Sequence, residues 1–378
     1  MKNLAALESN ISKLMTVDKI HITNFTHRWV ESRKIAKAGK SRRQEGVSKN
    51  TNSLLLTMLD LVFEESTEFP LNNSQFYSDG VEILLKQWDS KLDTEKSEIY
   101  KKISLQSKQD LLSYVALKTF TNGDYFFTQQ SVEEYIGDYI TNLPNAPTNA
   151  QEIQLHSKAV LKSIEAQHGV IVQQSKGIYS FSDLALHEYF AAREIINSTT
   201  PQLLEQSLQN LVSHVTENRW REVFLLLAGM LRNADYLLNL IKHKTNAIVA
   251  KDEILLHFLN WNTQNSIEMK APYKPSAFRA LSLEFILNLD FDFALALDND
   301  FAYDIGLNTA HLHIYTQELK NCQFSKHQKQ VLKQYYYANK LLVDCVNHSR
   351  YVSRPVREEI TENVLVPFDI WQKVKEHC

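Results

Sequence analysis

Three places in the 378-residue chain hold side chains whose types could do chemistry. His187-Glu188 opens like a zinc-binding HExxH helix, but the residue four positions after His187 is Ala191, so the second ligand is missing. His311 and His313 are two apart, which puts them on different faces of a helix, and no third ligand lies near them. These histidines read as surface or satisfied core. The run Asp290, Asp292, Asp298, Asp300, Asp304 invites a calcium loop, which needs glycine at its sixth position and glutamate at its twelfth. Counting from Asp298, those places hold Tyr303 and Thr309, so the run reads as a solvated face. Phosphate cradles need closely spaced glycines. The nine glycines, at 39, 46, 80, 123, 137, 169, 177, 229 and 306, contain neither the GxxxxGK[ST] offset nor GxGxxG. No serine, cysteine or lysine sits in a recognisable nucleophile motif. The residues point away from an enzyme, with no catalytic side chain, no metal and no cofactor of the chain's own.

The elements that would position any site are helical. Hydrophobic residues make up 44% of the chain and charged ones 22%. With 9 Gly and 8 Pro, turn-formers fall well below average usage, so a many-stranded sheet has little room. A net charge of -3 gives no global field for nucleic acid or anionic membrane. The longest apolar run, Val223 to Leu231, is far short of the roughly 18 residues of a spanning helix. Met1 to Leu14 lacks a signal-peptide core, and Cys322, Cys345 and Cys378 suggest neither disulfides nor a zinc site. These features predict a cytoplasmic protein without membrane contact.

Residues 1–92 read as a small helical bundle. Leu54 to Phe63 is apolar on most sides, Glu65 to Asn73 is a loop, and Asp79 with Glu82 reads as an N-cap pair ahead of Val81, Leu84, Leu85 and Trp88. Arg33 to Arg43, with six basic residues in eleven, reads as an exposed helix end. Residues 93–198 spell a winged helix. A stripe of Leu112, Val115, Ala116 and Phe120 comes first, followed by a helix opened by a Ser131–Glu134 capping box with Tyr135, Ile136, Tyr139 and Ile140 inward. Ala159 to Ile164 belongs to a third helix. Val170 to Gln173 and Ile178 to Phe181 then form a hairpin around Ser175-Lys176-Gly177, and a helix starts near Leu184. Residues 199–378 are helical again, broken at Pro201, near Asn233, at Pro272–Pro275 and at Pro355; Trp220–Leu231 and Leu332–Val346 should be packed on several sides. The cluster Tyr335, Tyr336, Tyr337 reads as core rather than as a binding surface.

Several segments match one family in order. Asn52-Ser53-Leu54-Leu55-Leu56-Thr57 and Leu61-Val62-Phe63-Glu64-Glu65-Ser66 resemble the helical lid of bacterial NACHT NTPases, proteins common in cyanobacteria. Lys162 to Gly169, Tyr179 to Asp183 and Glu188 to Glu194 resemble their winged helix; Trp220 to Leu225, the alternation over 289–301, Leu341 to Cys345 and Val356 to Ile360 are similar to their C-terminal helical domain. The resemblance implies a mostly α fold: a helical lid bundle, a winged-helix domain with a short β-hairpin, and an α-helical C-terminal domain. It implies a non-catalytic regulatory and sensor part of a STAND signalling switch, of the kind used in defence against phage, whose P-loop core is not in this sequence. ATP, ADP and Mg²⁺ would enter only with that core. Partners would be proteins: a NACHT ATPase core or a second copy. The family's nucleotide-facing positions fall on Ser53, where the family has proline, and on Asp183, where it has the histidine that touches the ADP phosphate. A carboxylate there repels a diphosphate that imidazole would hold; drift in a copy that no longer binds nucleotide is the favoured reading of Asp183. The alternative function is a winged-helix DNA-binding regulator. The helix over Gln151–Gln167 sets Lys158 and Lys162 against Glu152 and Glu165, which argues against nucleic acid there.

Overall fold

A computed structural model describes residues 58, 61–62, 72–91, 103–144, 146, 149–198, 200–268, 274–298, 319 and 322–367. The chain divides into two compact units, Met1–Asn197 and Ser198–Cys378. Ser53, the basic stretch 33–43, His311, His313, Asp300, Asp304 and most of 54–63 lie outside the described residues.

The first unit contains α1 (Asn73–Lys91), α2 (Leu105–Asn122), β1 (Phe127–Thr128), α3 (Gln129–Thr141), α4 (Ala150–His168), β2 (Ile171–Ser175), β3 (Ile178–Phe181) and α5 (Leu184–Ile196). Its three strands are antiparallel in the order β1-β3-β2, with Phe127 opposite Tyr179 and Ile171 opposite Phe181. The hairpin was expected, and β1 is an addition. Gly177 turns the wing at φ 74, with nothing near where a Cβ would stand, so backbone conformation alone calls for glycine there. The core is the seam between α2 and α5: Leu111, Leu112, Val115, Ala116 and Phe120 meet Leu186, Tyr189 and Phe190, all buried. Burying each large apolar side chain stabilises by about 1.5–3 kcal/mol. Two helix starts differ from the expected ones. Asp79 lies inside α1, which begins one to two turns earlier, where Asn72 accepts from the Gln75 amide at 2.9 Å. Ser131 is not a cap: Thr128 caps α3 and accepts from the Ser131 amide at 3.1 Å.

The second unit is entirely helical in its described residues: α6 (Pro201–Val212), a short 3₁₀ turn at Asn218–Trp220, α7 (Arg221–Met230), α8 (Asp235–Val249), α9 (Glu253–Glu268), α10 (Pro275–Leu287), α11 (Asp292–Leu297), α12 (Lys326–His348) and α13 (Arg354–Glu362). The expected breaks are helix starts. Pro201 and Pro275 open α6 and α10, where the missing N–H costs nothing, and Pro355 lies in the first turn of α13. The long α12 packs on α7, α8, α10 and α13. Two buried ionisable side chains tie helices together. Arg279 of α10 donates from Nε to Val364 O at 2.8 Å, from Nη1 to Ser266 Oγ at 3.1 Å and from Nη2 to Glu362 O at 2.5 Å. Glu284 of α10 accepts on Oε1 from the amides of Phe293 (2.9 Å) and Ala294 (3.3 Å) and from the Tyr336 hydroxyl (2.7 Å), while its Oε2 is buried without a partner. Leu365, at φ 64, is held in the left-handed region where its amide donates to Asn339 Oδ1 at 3.1 Å.

Candidate nucleotide-facing site

Phe181 ends β3 buried, Ser182 and Asp183 turn the chain, and α5 begins at Leu184. Asp183 is the N-cap of α5: its backbone is extended, and Oδ1 accepts from the Ala185 amide at 2.9 Å. The carboxylate satisfies an amide that the helix leaves open and sits at the positive end of the helix dipole. An aspartate here thus has a local structural role, which the charge argument made from sequence did not foresee. Ser53, the other position singled out from sequence, lies outside the described residues.

One turn along, His187 is buried. Its ring stacks on Phe181 at 4.5 Å and 10° and meets Phe120 edge-on at 5.3 Å. Nε2 is 3.1 Å from Ala116 O, which can only accept, so Nε2 carries the proton; it is also 2.8 Å from Thr119 Oγ1, whose own proton goes to Val115 O at 2.9 Å. Burial pushes the imidazole pKa down to about 4, so the ring is neutral at neutral pH. His187 is a core histidine. Because it binds a proton more readily unfolded, near 6.5, than folded, stability should fall as pH drops from 6.5 toward 4. His187→Gln should flatten that limb of a pH–stability curve; an unchanged curve would contradict the burial argument.

The far end of α5 carries a polar group that the sequence reading passed over. Arg193, buried, reaches Asp110 Oδ1 at 2.8 Å and Ser113 Oγ at 2.9 Å. Glu194 beside it is pushed up to about 7, first by burial and then by Asp110. The signal was there to read: Arg193 follows the apolar run Tyr189 to Ala192, facing an aspartate that starts the apolar stripe of α2. Arg193 ties α5 to α2. In the second unit, Asp298 Oδ2 accepts from the Lys274 amide at 2.8 Å. Among the described residues, no three His, Cys, Asp or Glu side chains are grouped to hold a metal ion.

On α4, the winged-helix recognition helix, Lys158 and Lys162 are exposed, as is Glu152, and Leu155 between them is 68% exposed. The outer face is therefore mixed in charge, with an apolar residue at its centre. A family described as "Winged helix-turn-helix domain C-terminal to NACHT" matches residues 73–195, beginning with α1, and one described as "NACHT C-terminal Helical domain 2" matches residues 307–367, which hold α12 and α13. No curated protein and no solved structure matches the chain.

Proposed function

Because the chain carries the C-terminal portion of a NACHT protein, the winged helix followed by a C-terminal helical domain, we propose that it is the regulatory and sensor part of a NACHT signalling NTPase. It acts through protein contacts and not by turnover. In this reading a lid remnant precedes the winged helix, whose family match begins with α1 at residue 73 and not at 93, and 199–378 is the helical domain, working in the cytoplasm in defence against phage. The nucleotide, ATP or ADP with Mg²⁺, belongs to the NTPase core that the winged helix closes over. The observation that carries the choice of protein over DNA is the outer face of α4, where exposed Leu155 lies among residues of mixed charge. Phosphate contacts supply most of the affinity of a DNA-binding helix, and this face offers few. No helix among the described residues is long and apolar enough to cross a membrane.

The test mixes or fuses the chain with a related NACHT core and measures ADP affinity by calorimetry. The chain alone should neither bind nor hydrolyse Mg-ATP. With the core present, Asp183→His should tighten ADP by about 1–3 kcal/mol, the range for a charge-assisted hydrogen bond. It should also cost about 1 kcal/mol of stability, because the cap on α5 is lost. Asp183→Asn keeps a capping oxygen, removes the charge, and should tighten ADP without the stability cost. Equal ADP affinities for all three proteins would remove residue 183 from the nucleotide site.

A further inference from the structure

Among the described residues, helix α12 presents one face on which three lysines and a tyrosine are exposed, with Lys340, which also acts on the buried Glu284 carboxyl, at its end. Lys326, Lys329, Lys333, Tyr337 and Lys340 follow one another at three- and four-residue steps. At about 100° per residue they fall within an arc of roughly 80°. Lys326, Lys329, Lys333 and Tyr337 are exposed, Tyr337 at 47%, and Lys340 is half-buried. The Lys333 ammonium stands over the Tyr337 ring at 5.9 Å. From Lys326 to Val343 the helix contains no carboxylate, and among the described residues none of the four lysines is ion-paired. Among the described residues, the acidic groups nearby are engaged or set to the side. Asp344 binds Arg221 at 2.8 Å, Asp252 accepts from the Gln328 amide group at 3.2 Å and from the Leu255 amide at 3.1 Å, and Glu284 is buried. Asp292 stands near Tyr336 at one flank.

We infer that this face of α12 binds single-stranded nucleic acid, the lysines meeting the phosphates and Tyr337 stacking on a base. The inference stands apart from the protein-contact reading and does not use the winged helix. At 1.5 Å per residue the four lysines span roughly 21 Å, a few nucleotides of extended strand. Lysine is depleted in protein–protein interfaces, which makes a stripe of four a poor fit to a folded acidic partner. An exposed aromatic between cations gains from bases that are free to unstack, which a duplex does not offer. Tyr335 and Tyr336 are core, so Tyr337 alone of the three can serve this purpose.

Fluorescence anisotropy on the full chain, with a labelled 20-nucleotide oligo-dT, the matching oligo-U and a duplex of equal length, tests this. Both single strands should bind more tightly than the duplex, with a log–log salt slope of about −2 to −3, as for three or four phosphate contacts. The double variant Lys329→Glu with Lys333→Glu should lose at least tenfold in affinity. Tyr337→Ala should lose about tenfold, and Tyr337→Phe should retain binding because its ring still stacks. Arg42→Glu with Arg43→Glu should leave the single-strand preference in place. Absence of binding, α12 variants that bind like the unaltered chain, a preference for duplex, or equal competition by polyglutamate would each overturn the proposal.

Discussion

Replacing Arg279 with methionine should lower the stability of the C-terminal unit by about 3 kcal/mol or more, because three buried acceptors lose their donor. Arg279 is 2% exposed, and no carboxylate pairs with its guanidinium among the described residues. Its charge is met by oxygens: the Ser266 hydroxyl, the Glu362 carbonyl that ends α13, and the Val364 carbonyl just beyond. The last carbonyls of a helix have no partner within it and carry the negative end of its dipole. Burial pulls the Arg279 pKa down to about 10, which leaves it charged at neutral pH. Methionine would fill much of the space and leave those acceptors unsatisfied, each at about 1–3 kcal/mol. Lysine should recover only part of the loss, because one ammonium cannot reproduce a planar fork. Urea unfolding of the variants is the measurement. A loss below about 1 kcal/mol for methionine would mean that solvent replaces the fork.

The second large effect concerns Glu284, which is 0% exposed. One oxygen gathers three donors from α11 and α12, so Glu284→Leu should cost about 3 kcal/mol or more through unmet donors. Glu284→Gln keeps an acceptor and should behave quite differently. Burial raises the carboxyl pKa above its usual value, against the opposing pull of the Tyr336 hydroxyl and the two amides. A raised folded pKa gives stability that is fully present below the unfolded value, near 4.5, and is lost as pH rises through the folded value. The unaltered protein should therefore lose stability over that rise while the glutamine variant does not. Parallel curves would show that the carboxylate stays ionised in the fold. Since the leucine variant removes both acceptor and charge, comparing the two substitutions separates the hydrogen bonds from the ionisation.

What the sequence revealed and what it hid follow one physical division. Features fixed by local periodicity were legible: the stripe of Leu112, Val115, Ala116 and Phe120 is buried as spaced, and the Gly177 wing turn falls where expected. Helix starts were not, because several residues compete to cap. Asp79 and Glu82 have capping spacing, yet the buried Phe76 and Tyr77 extend α1 back to Asn73. Thr128 outcompetes Ser131 because its own strand pairing with Ile178 presents its side chain to the start of α3. β1 has two residues, too few for any period, and exists through its partner strand. The same division runs through the site. Asp183 was found by resemblance, but its role as a cap is visible only in the backbone around it. The tyrosine triplet was read as one unit, and the 100° step of the helix turns two rings inward and one outward.

The strand order β1-β3-β2 has a kinetic consequence. Phe127 and Tyr179 are direct partners although they lie about fifty residues apart, with α3 and α4 between them. The β2–β3 hairpin can close locally within microseconds, but β1 can join it only after the two intervening helices have brought the ends of that long loop together. The wing thus assembles from the β2–β3 hairpin, and its second edge strand, β1, waits for the helical part of the unit to be in place. Once there, the two-residue strand is locked by contacts beyond its ladder: Phe127 is buried against Phe181, and the Gln129 amide donates to Gly177 O at 2.9 Å, so the last strand to arrive closes the wing onto α3.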